Sequence, residues 1–477
     1  MPLSEEQIKL IARRVAENLN VGEQRSHGEE QKALKQKLGI FASIGEAVNA
    51  AGSAFRAFNQ LTLEQRGKII ANIRQHMLRE NERLATEAHL ETGLGRIEDK
   101  ILKNKLVTEK TPGIEDLKST AWSGDSGLTL VEQAPYGVIG AITPITNPTS
   151  TIICNTIGMV AAGNSVVFNV HPGARGVSIL NIHLINQAIM EAGGPPNVVT
   201  AVENPTIDSA QELMHHPGVR LLVVTGGPGV VKAAMTSGKR AICAGPGNPP
   251  VVVDETADID KAAKDIVFGA SMDNNIICVD EKEVFVVDSV ADQLLRAMAQ
   301  NKAVQLNIGQ LKQLERVIFG EMRGPRKPGV INKNFIGKKV SVILREIGVN
   351  VEDTIRLAYV EVDVNHPLIW TEQMLPVLPV CRVRNADEAI DLAIEAEHRF
   401  GHTASMHSKN IEKLSRMARE INCSIFVKNG PNVAGVGHGG EGYCSFSMAS
   451  PTGEGLTAPH SFTRERRCTL VDYFRII

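Results

Sequence analysis

Short apolar runs alternate with longer runs of helical spacing along most of the chain. The runs "GVIGAITP", "NSVVFNV", "NVVTAV" and "RLLVVTG" predict buried strands, whereas "VSILNIHLINQAIMEAG" and "PGVVKAAMTSG" predict helices. A second series begins at "PPVVVDETADIDKAAKDIVFGAS" and continues through "EVFVV", "DEAIDLAIEAE" and "CSIFVKN". Strands that alternate with helices in this way predict an α/β fold, in which helices cover both faces of a parallel sheet.

Two helical patterns precede the first of these strands. They read "SIGEAVNAAGSAFRAF" and "TLEQRGKIIANIRQHMLRENERLATEAHLE". Thr62 and Gln65 stand three residues apart at the start of the second pattern, which is the spacing of a capping box. Each pattern predicts one long helix.

The first residues of the chain form a separate pattern. Ser4 and Gln7 have capping-box spacing, and apolar residues follow at helical intervals, so residues 1–19 predict a short amphipathic helix. Residues 20–37 are polar and lack apolar periodicity, which predicts a linker. Such a helix either folds back onto its own domain or docks on another protein, and the pattern by itself favours neither.

Composition narrows the classes of function. Lys and Arg total 51 and Asp and Glu 53, so the net charge of −2 gives no electrostatic footprint for nucleic acid or an acidic membrane. No apolar run approaches the roughly 20 residues that a membrane-spanning helix needs. The seven cysteines include no CxxC spacing, and the histidines show no metal-ligand spacing. We therefore expect a soluble protein of a reducing compartment, with no nucleic-acid, membrane or metal partner.

A glycine-rich turn is the first candidate for ligand binding. In "RLLVVTGGPGVVKAAM" a predicted strand runs into Gly226, Gly227 and Gly229 and then into a helix. Such a turn lets the backbone approach a phosphate, and the helix start presents free N–H groups to it. The complete GxGxxG fingerprint is absent because Lys232 occupies the third glycine position, so a plain tight turn between strand and helix remains open.

Asn147 and Cys278 are the candidates for chemistry. Asn147 precedes a proline in "AITPITNPTSTIICN", where its side chain either donates to an oxyanion or stabilises its own turn. Cys278 follows Asn274 and Asn275 at a predicted junction between a loop and the strand "EVFVV". A partly exposed cysteine beside a cofactor cleft is expected to have a lowered pKa if it is a nucleophile, whereas most cysteines are small buried apolar residues.

The order of these features resembles that of the aldehyde dehydrogenase superfamily. The segments "TNPT", "VTGGPG", "AGPGNPPVVVDETAD", "EQMLPVLPV", "SIFVKNGP" and "SPTGEGLTAPHSFTRERRC" are similar to those of its coenzyme-A-acylating branch, closest to the propionaldehyde and acetaldehyde dehydrogenases of bacterial microcompartments. The resemblance covers about residues 38–477. It implies a Rossmann-type cofactor domain, an α/β catalytic domain and a β-arm for oligomerisation.

The resemblance also implies roles for particular residues. Cys278 would attack an aldehyde to form a thiohemiacetal, Asn147 and the Cys278 backbone N–H would hold the oxyanion, and hydride transfer to NAD would leave a thioacyl enzyme. Glu372 would bind the nicotinamide ribose. The cofactor-binding residues implied for NAD and coenzyme A are Thr143, Pro144, His171, Pro172, Thr225, Gly226, Gly227, Gly245, Pro246 and Glu372.

Two departures from the hydrolytic branch bear on the second half of the reaction. Hydrolytic members carry a glutamate where this chain has Cys243 and Ala244, so their general base for water is missing. A thiol near pKa 8.5 is already a few per cent ionised at neutral pH and needs no such base, which predicts coenzyme A as the acyl acceptor. Asn169 stands where hydrolytic members have a lysine for the adenosine ribose.

The predicted function is therefore oxidation of a short aliphatic aldehyde, with propanal favoured and ethanal second, to its acyl-CoA. The alternatives are a hydrolytic or phosphate-dependent aldehyde dehydrogenase, and a non-catalytic shell-associated protein. Hydrolysis is disfavoured by the missing glutamate, and a non-catalytic role by the intact pair of Asn147 and Cys278.

Domain boundaries and partners follow from the same resemblance. We expect a dinucleotide- and CoA-binding domain at 38–246, with 122–137 in an oligomerisation arm, and a catalytic thiol domain at 247–442. Residues 443–477 would return to the cofactor domain and the arm, making a homodimer or homotetramer. Residues 1–19 would dock on a shell protein, placing the enzyme in the cytoplasm, inside a bacterial microcompartment.

Overall fold

The computed structural model describes residues 38–476. The predicted helix at 1–19 and the predicted linker at 20–37 lie outside the described residues. Within the described part, the α-helices are α1 (Ile44–Phe58), α2 (Leu63–Arg79), α3 (Asn81–Thr92), α4 (Ile97–Lys110), α5 (Pro148–Ala161), α6 (Arg175–Glu191), α7 (Ile207–His215), α8 (Pro228–Met235), α9 (Ile259–Ser271), α10 (Asp288–Ala299), α11 (Ile308–Ile318), α12 (Val340–Arg345), α13 (Ala386–Ala396) and α14 (Ile411–Glu420).

Over residues 38–476, the strands fall into two large sheets and three small ones. They are β1 (Ile40–Phe41), β2 (Thr120–Gly124), β3 (Gly127–Pro135), β4 (Val138–Ile142), β5 (Ser165–Asn169), β6 (Val199–Val202), β7 (Leu221–Thr225), β8 (Ala241–Ala244), β9 (Pro250–Val253), β10 (Glu283–Val287), β11 (Ala303–Gln305), β12 (Phe319–Glu321), β13 (Val330–Ile331), β14 (Leu357–Glu361), β15 (Val377–Val383), β16 (Thr403–His407), β17 (Ile425–Lys428), β18 (Met448–Ala449), β19 (Gly455–Leu456) and β20 (Thr463–Val471). The predicted α/β fold is confirmed.

The first large sheet is parallel, with strand order β1-β6-β5-β4-β7-β8. Its strands lie within residues 38–246. Every residue of β4 and β5 is buried, as continuous apolar runs predict. The chain moves outward from β4 to β6 and then crosses to β7 on the other side of β4. Ligands bind outside the carboxyl ends of strands at such a reversal, so the ends of β4 and β7 mark the expected cofactor crevice.

The second large sheet is also parallel, with strand order β11-β14-β15-β10-β9-β16-β17. Its strands lie within residues 247–442. The central strand β10 is fully buried and pairs with β9 on one side and β15 on the other. The loop that carries Cys278 runs directly into this rigid central strand, which limits how far the loop can move.

The predicted single helix at 62–91 is two helices, α2 and α3. Glu80 interrupts it with φ −90° and ψ 5°. The change of direction lets Met77 and Leu84 both reach full burial in the same core, and this tertiary packing outweighs the continuous local pattern. The predicted capping box is confirmed: the Gln65 N–H donates to Thr62 Oγ1 at 3.2 Å, and the Thr62 N–H donates to Gln65 Oε1 at 2.9 Å.

A third sheet projects from this body. Strands β2, β3 and β20 pair antiparallel in that order, and β20 follows β3 from Thr463↔Pro135 to Val471↔Gly127. Before β20, the chain packs Cys444 and Phe446 into the core that also contains α5. The C-terminal segment therefore joins the body to the projecting sheet.

Candidate active site

A cavity of about 740 Å³ opens at the carboxyl ends of β4, β7 and β8. There, residues that follow strands of the first sheet meet the loop that precedes β10 of the second. Every residue predicted for the site lines this cavity, although the residues are spread from position 143 to position 372 of the chain. They are Thr143, Pro144, Asn147, His171, Pro172, Thr225, Gly226, Gly227, Gly245, Pro246, Cys278 and Glu372.

The loop that delivers Cys278 has an unusual backbone. Asp273, Asn274 and Asn275 have φ of +46°, +57° and +66°, in the left-handed region that Asn and Asp tolerate better than other side chains. Side-chain amides hold the turn: Asn274 Nδ2 donates to the Gly337 carbonyl and Asn275 Nδ2 to the Ala270 carbonyl, both at 2.8 Å. The reversal brings the following residues to the cavity wall.

A buried lysine donates hydrogen bonds to the same loop. Lys282 is fully buried, and its Nζ donates to Asn275 Oδ1 at 2.6 Å, to the Asn275 carbonyl at 2.9 Å and to the Ile277 carbonyl at 3.3 Å. Its own carbonyl accepts from Gln373 Nε2 at 3.0 Å, which connects the loop to the segment bearing Glu372. An ammonium with these partners fixes the position of Cys278.

The electrostatics of Cys278 differ from the expectation. The residue is partly buried, and burial, followed by the neighbouring Glu372 carboxylate, raises the pKa of its thiol to about 12 despite the opposing charge of Lys282. The prediction of a lowered pKa is wrong, because burial and the neighbouring Glu372 carboxylate both disfavour the thiolate. The thiol is therefore protonated at neutral pH.

Asn147 makes no side-chain hydrogen bond to its own helix start. Its carbonyl accepts the Thr151 N–H at 3.0 Å and begins α5, while its side chain bonds elsewhere. Oδ1 accepts from Lys103 Nζ at 2.6 Å, and Nδ2 donates to Thr146 Oγ1 at 3.2 Å. The alternative of a turn asparagine is not what the structure shows, and the Nδ2 group keeps a second hydrogen for a ligand in the cavity.

The glycine turn has room for a ligand. The strand β7 ends at Thr225, and α8 begins after Gly227. A Cβ built at Gly227 would meet no atom within 4 Å, so the backbone is open on that side. A phosphate can therefore approach the start of α8, which fits the pyrophosphate of a dinucleotide. Thr225 Oγ1 shares a hydrogen bond with Ser447 Oγ at 3.1 Å, which ties the turn to the C-terminal segment.

The residues expected near the adenosine are held by local bonds. His171 Nδ1 accepts the Gly173 N–H at 3.0 Å, the arrangement of a turn residue, although the ring also lines the cavity. Asn169 accepts from Ser209 Oγ at 2.6 Å and donates to the Thr206 carbonyl at 3.4 Å. Its amide thus joins β5 to the start of α7, a structural use that differs from ribose binding.

The segment in which hydrolytic enzymes carry a base contains none here. Cys243 is buried in β8, its N–H donates to Thr452 Oγ1 at 3.0 Å, and burial, followed by Glu454, raises the pKa of its thiol to about 11. Ala244 lines the cavity without a titratable group. Among the described residues that line the cavity, Glu372 supplies the carboxylate, and burial raises its pKa.

Three buried titratable residues near the site were not identified from the sequence. Lys103 and Lys282 lie in charged stretches that are typical of a solvent-exposed face. His402 lies in an ordinary strand pattern, yet burial lowers the pKa of its imidazole to about 4 and its Nε2 has no hydrogen-bond partner. A Cβ built at Gly247 would lie 2.9 Å from the His402 ring and 2.9 Å from the Cys278 carbonyl. No local sequence signal reveals these contacts.

Two features are absent from residues 38–476. No helix in that range is long and apolar enough to cross a membrane. The same residues contain no group of three or more His, Cys, Asp or Glu side chains placed to hold a metal ion.

Comparisons with known proteins complete the description of the site. A model of the aldehyde dehydrogenase family matches residues 22–454. The acetylating acetaldehyde dehydrogenase EutE of Salmonella typhimurium is 50% identical over 442 residues, which is 92% of this chain and 94% of the relative.

Two solved structures are similar over nearly their whole length. Rhodopseudomonas palustris propionaldehyde dehydrogenase with bound CoA and an acylated cysteine has a TM-score of 0.88 and 49% identity, covering 91% of this chain and 98% of the other. A propionaldehyde dehydrogenase from the fucose utilisation bacterial microcompartment of Clostridium phytofermentans has a TM-score of 0.89 and 46% identity, covering 92% and 100%.

Proposed function

The chain belongs to the aldehyde dehydrogenase family, and from that membership we infer that it is a coenzyme-A-acylating enzyme that oxidises a short aliphatic aldehyde with NAD. The observation that carries the inference is one cavity in which Cys278 and Asn147 stand together while Ala244 lines the wall where a base for water would be needed. The glycine turn beside them is open to a dinucleotide.

The first half of the reaction uses the cysteine and the amide. Cys278 Sγ releases its proton to solvent and bonds to the aldehyde carbon, while the electron pair of the C=O π bond moves to the oxygen, which becomes an oxyanion. Asn147 Nδ2 donates to that oxygen. Gly226 and Gly227 would hold NAD, which would supply the acceptor for the hydride of the same carbon. Cys278 then carries an acyl group as a thioester, and Lys282 holds the loop in place throughout.

The second half transfers the acyl group to a thiol. Water has a pKa near 15.7 and requires a base, which Cys243 and Ala244 do not supply. A thiol near pKa 8.5 forms its thiolate far more readily. The sulfur of coenzyme A attacks the thioester carbon, the bond to Cys278 Sγ breaks, and acyl-CoA leaves. The Cys278 thiolate then takes up the proton that the coenzyme A thiol has released.

The cavity favours a small apolar aldehyde. The residues that line it include several apolar side chains, among them Ile277, Val436, Phe446 and Met448. Such a wall binds a short alkyl chain through burial of apolar surface, about 0.8 kcal/mol for each methylene. Propanal therefore binds better than ethanal, and we propose propanal as the preferred substrate.

Product analysis tests the proposed function. The purified enzyme is given C2 to C4 aldehydes with NAD, with and without coenzyme A, and acyl-CoA, free acid and acyl phosphate are quantified. We expect acyl-CoA to appear only with coenzyme A and at a rate equal to that of NADH. Turnover to free acid that is independent of coenzyme A would support the hydrolytic alternative. NADH production that survives in Cys278→Ala would remove the site assignment.

The proposed assembly of the enzyme concerns two other parts of the chain. Residues 1–19 dock on a microcompartment shell protein, supported by their amphipathic pattern and by the similarity to an enzyme of a bacterial microcompartment. Deletion of 1–19 should leave turnover intact and abolish co-purification with shells. If the deleted enzyme still co-purifies, another part of the chain makes the contact.

We propose that the projecting sheet of β2, β3 and β20 forms the contact between chains in a homodimer or homotetramer. Trp122, Leu470 and Val471 expose 54%, 41% and 63% of their surface, which favours a covered apolar face. Light scattering should give two or four times the mass of one chain. A monomer at micromolar concentration would contradict this arrangement.

A further inference from the structure

We propose that Lys103 is a positioning residue for the reaction, and that it acts by holding the Asn147 amide with Nδ2 toward the reacting oxygen. The proposal rests on the proposed function, in which that amide stabilises an oxyanion. Lys103 lies on α4, far from Cys278 along the chain, and only 2% of its side chain is exposed.

The hydrogen bonds determine which way the amide faces. An ammonium group only donates, so the atom 2.6 Å from Lys103 Nζ must be the carbonyl oxygen of the Asn147 side chain. Nδ2 then donates one hydrogen to Thr146 Oγ1 at 3.2 Å and keeps the other for the cavity. A flipped amide would direct a carbonyl oxygen at the oxyanion, which is repulsive. Lys103 therefore excludes the unproductive orientation.

The surrounding charges leave the ammonium available to Asn147. Lys103 Nζ and Lys100 Nζ both donate to Asp273, the second at 3.0 Å, and the other oxygen of Asp273 accepts the Arg96 N–H at 2.6 Å. One carboxylate faces two ammonium groups, so this trio retains a positive charge. Hydrogen bonds in series polarise one another, and the cation makes the Asn147 N–H a stronger donor.

A purely structural role would not need both lysines. Lys100 alone suffices to neutralise Asp273, and Asp99, the other carboxylate of the cluster, is paired with Arg356 instead. A second buried ammonium costs desolvation energy. The contact that Lys103 makes and Lys100 does not is the one with Asn147.

Matched lysine variants provide the first measurement. Lys103→Met and Lys100→Met each remove one ammonium from Asp273, and both keep an unbranched side chain of similar volume. For Lys103→Met we expect kcat to fall about 10- to 100-fold, less than the 10²- to 10³-fold typical of removing an oxyanion donor itself, with little change in the KM for aldehyde. Lys100→Met should remain within about threefold of wild type. Equal losses of kcat in both variants would overturn the proposal.

A double-mutant cycle provides the second. If Lys103 acts through Asn147, the combination Lys103→Met with Asn147→Ala is no slower than Asn147→Ala alone. Losses that multiply indicate an independent structural role and overturn the proposal. Should Lys103→Met fail to fold, Lys103→Gln enters the same cycle, because its amide N–H still donates to Oδ1 and should recover part of kcat.

The readout separates this proposal from the proposed function. NADH formation is followed in the first turnover, before any acyl acceptor is needed, while acyl-CoA is measured in parallel. A wild-type enzyme that forms NADH but releases free acid contradicts the acylating function and leaves the cycle valid. A wild-type enzyme that shows acyl-CoA formation together with a multiplicative cycle contradicts only the role of Lys103.

Discussion

Replacement of Gly247 by alanine should displace Cys278 while leaving the cysteine side chain itself unchanged. A Cβ at this position would lie 2.9 Å from the Cys278 carbonyl oxygen and 2.9 Å from the His402 ring, about half an ångström short of ordinary contact. Neither neighbour yields easily. His402 is buried and its Nδ1 bonds Thr403 Oγ1 at 2.9 Å, and Lys282 anchors the loop that bears Cys278.

The expected magnitude follows from that displacement. A misplacement of about 1 Å can cost 10²-fold in rate, so half of it predicts a loss of about tenfold in kcat for Gly247→Ala. Overpacking of this kind costs about 1–3 kcal/mol of stability. The assay is steady-state NADH formation with saturating aldehyde, NAD and coenzyme A, accompanied by urea unfolding to confirm that the variant is folded.

Gly45→Ala is the matched control for this experiment. A Cβ at Gly45 meets no atom within 4 Å, and alanine in α1 should stabilise the helix by about 1 kcal/mol with unchanged kcat. If Gly247→Ala keeps wild-type kcat, contact at the Cys278 carbonyl does not control the position of the nucleophile, and the reasoning fails.

Three further predictions concern buried titratable side chains. Because the pKa of Cys278 is raised to about 12, alkylation of Cys278 by iodoacetamide, followed by mass spectrometry, should rise about tenfold per pH unit from pH 7 to 9; a plateau near pH 8.5 would contradict this. Burial raises the pKa of Glu281 from 4.5 to about 8, so between these values the folded protein keeps a proton that the unfolded chain loses. The stability that the protonated carboxyl contributes is therefore present below pH 4.5 and lost as pH rises through 8. Glu281→Gln keeps an acceptor for the Asn432 N–H (2.8 Å in the wild type) and should lose less stability between pH 5 and 8 in urea titrations, by up to about 1.4 kcal/mol per pH unit; parallel curves would refute it. Lys282→Met leaves the Asn275 and Ile277 carbonyls without their donor and should cost about 3–5 kcal/mol of unfolding free energy, whereas a loss below about 1 kcal/mol would show that the ammonium does not hold the loop.

Several strands of the two large sheets could be predicted from the sequence because their determinants are local. Strands β4, β5, β7 and β10 are continuous apolar runs, and burial on both faces of a parallel sheet requires such runs. The capping box at Thr62 is likewise local. The break at Glu80 could not be predicted, because it depends on where the core lies relative to Met77 and Leu84.

The features of the candidate site can likewise be separated into those with local determinants in the sequence and those that depend on tertiary packing. The sequence shows which residue types stand at the ends of strands, namely the glycine turn, Asn147 after β4 and Cys278 before β10. The family resemblance implies that Cys243 and Ala244 stand where hydrolytic members have a glutamate. The electrostatics of these residues depend on the folded arrangement, since burial and the approach of Glu372 raise the Cys278 thiol pKa that the sequence predicted to be lowered. The tertiary structure also decided that Lys103 reaches Asn147, because a contact between distant helices leaves no mark in the local pattern of either.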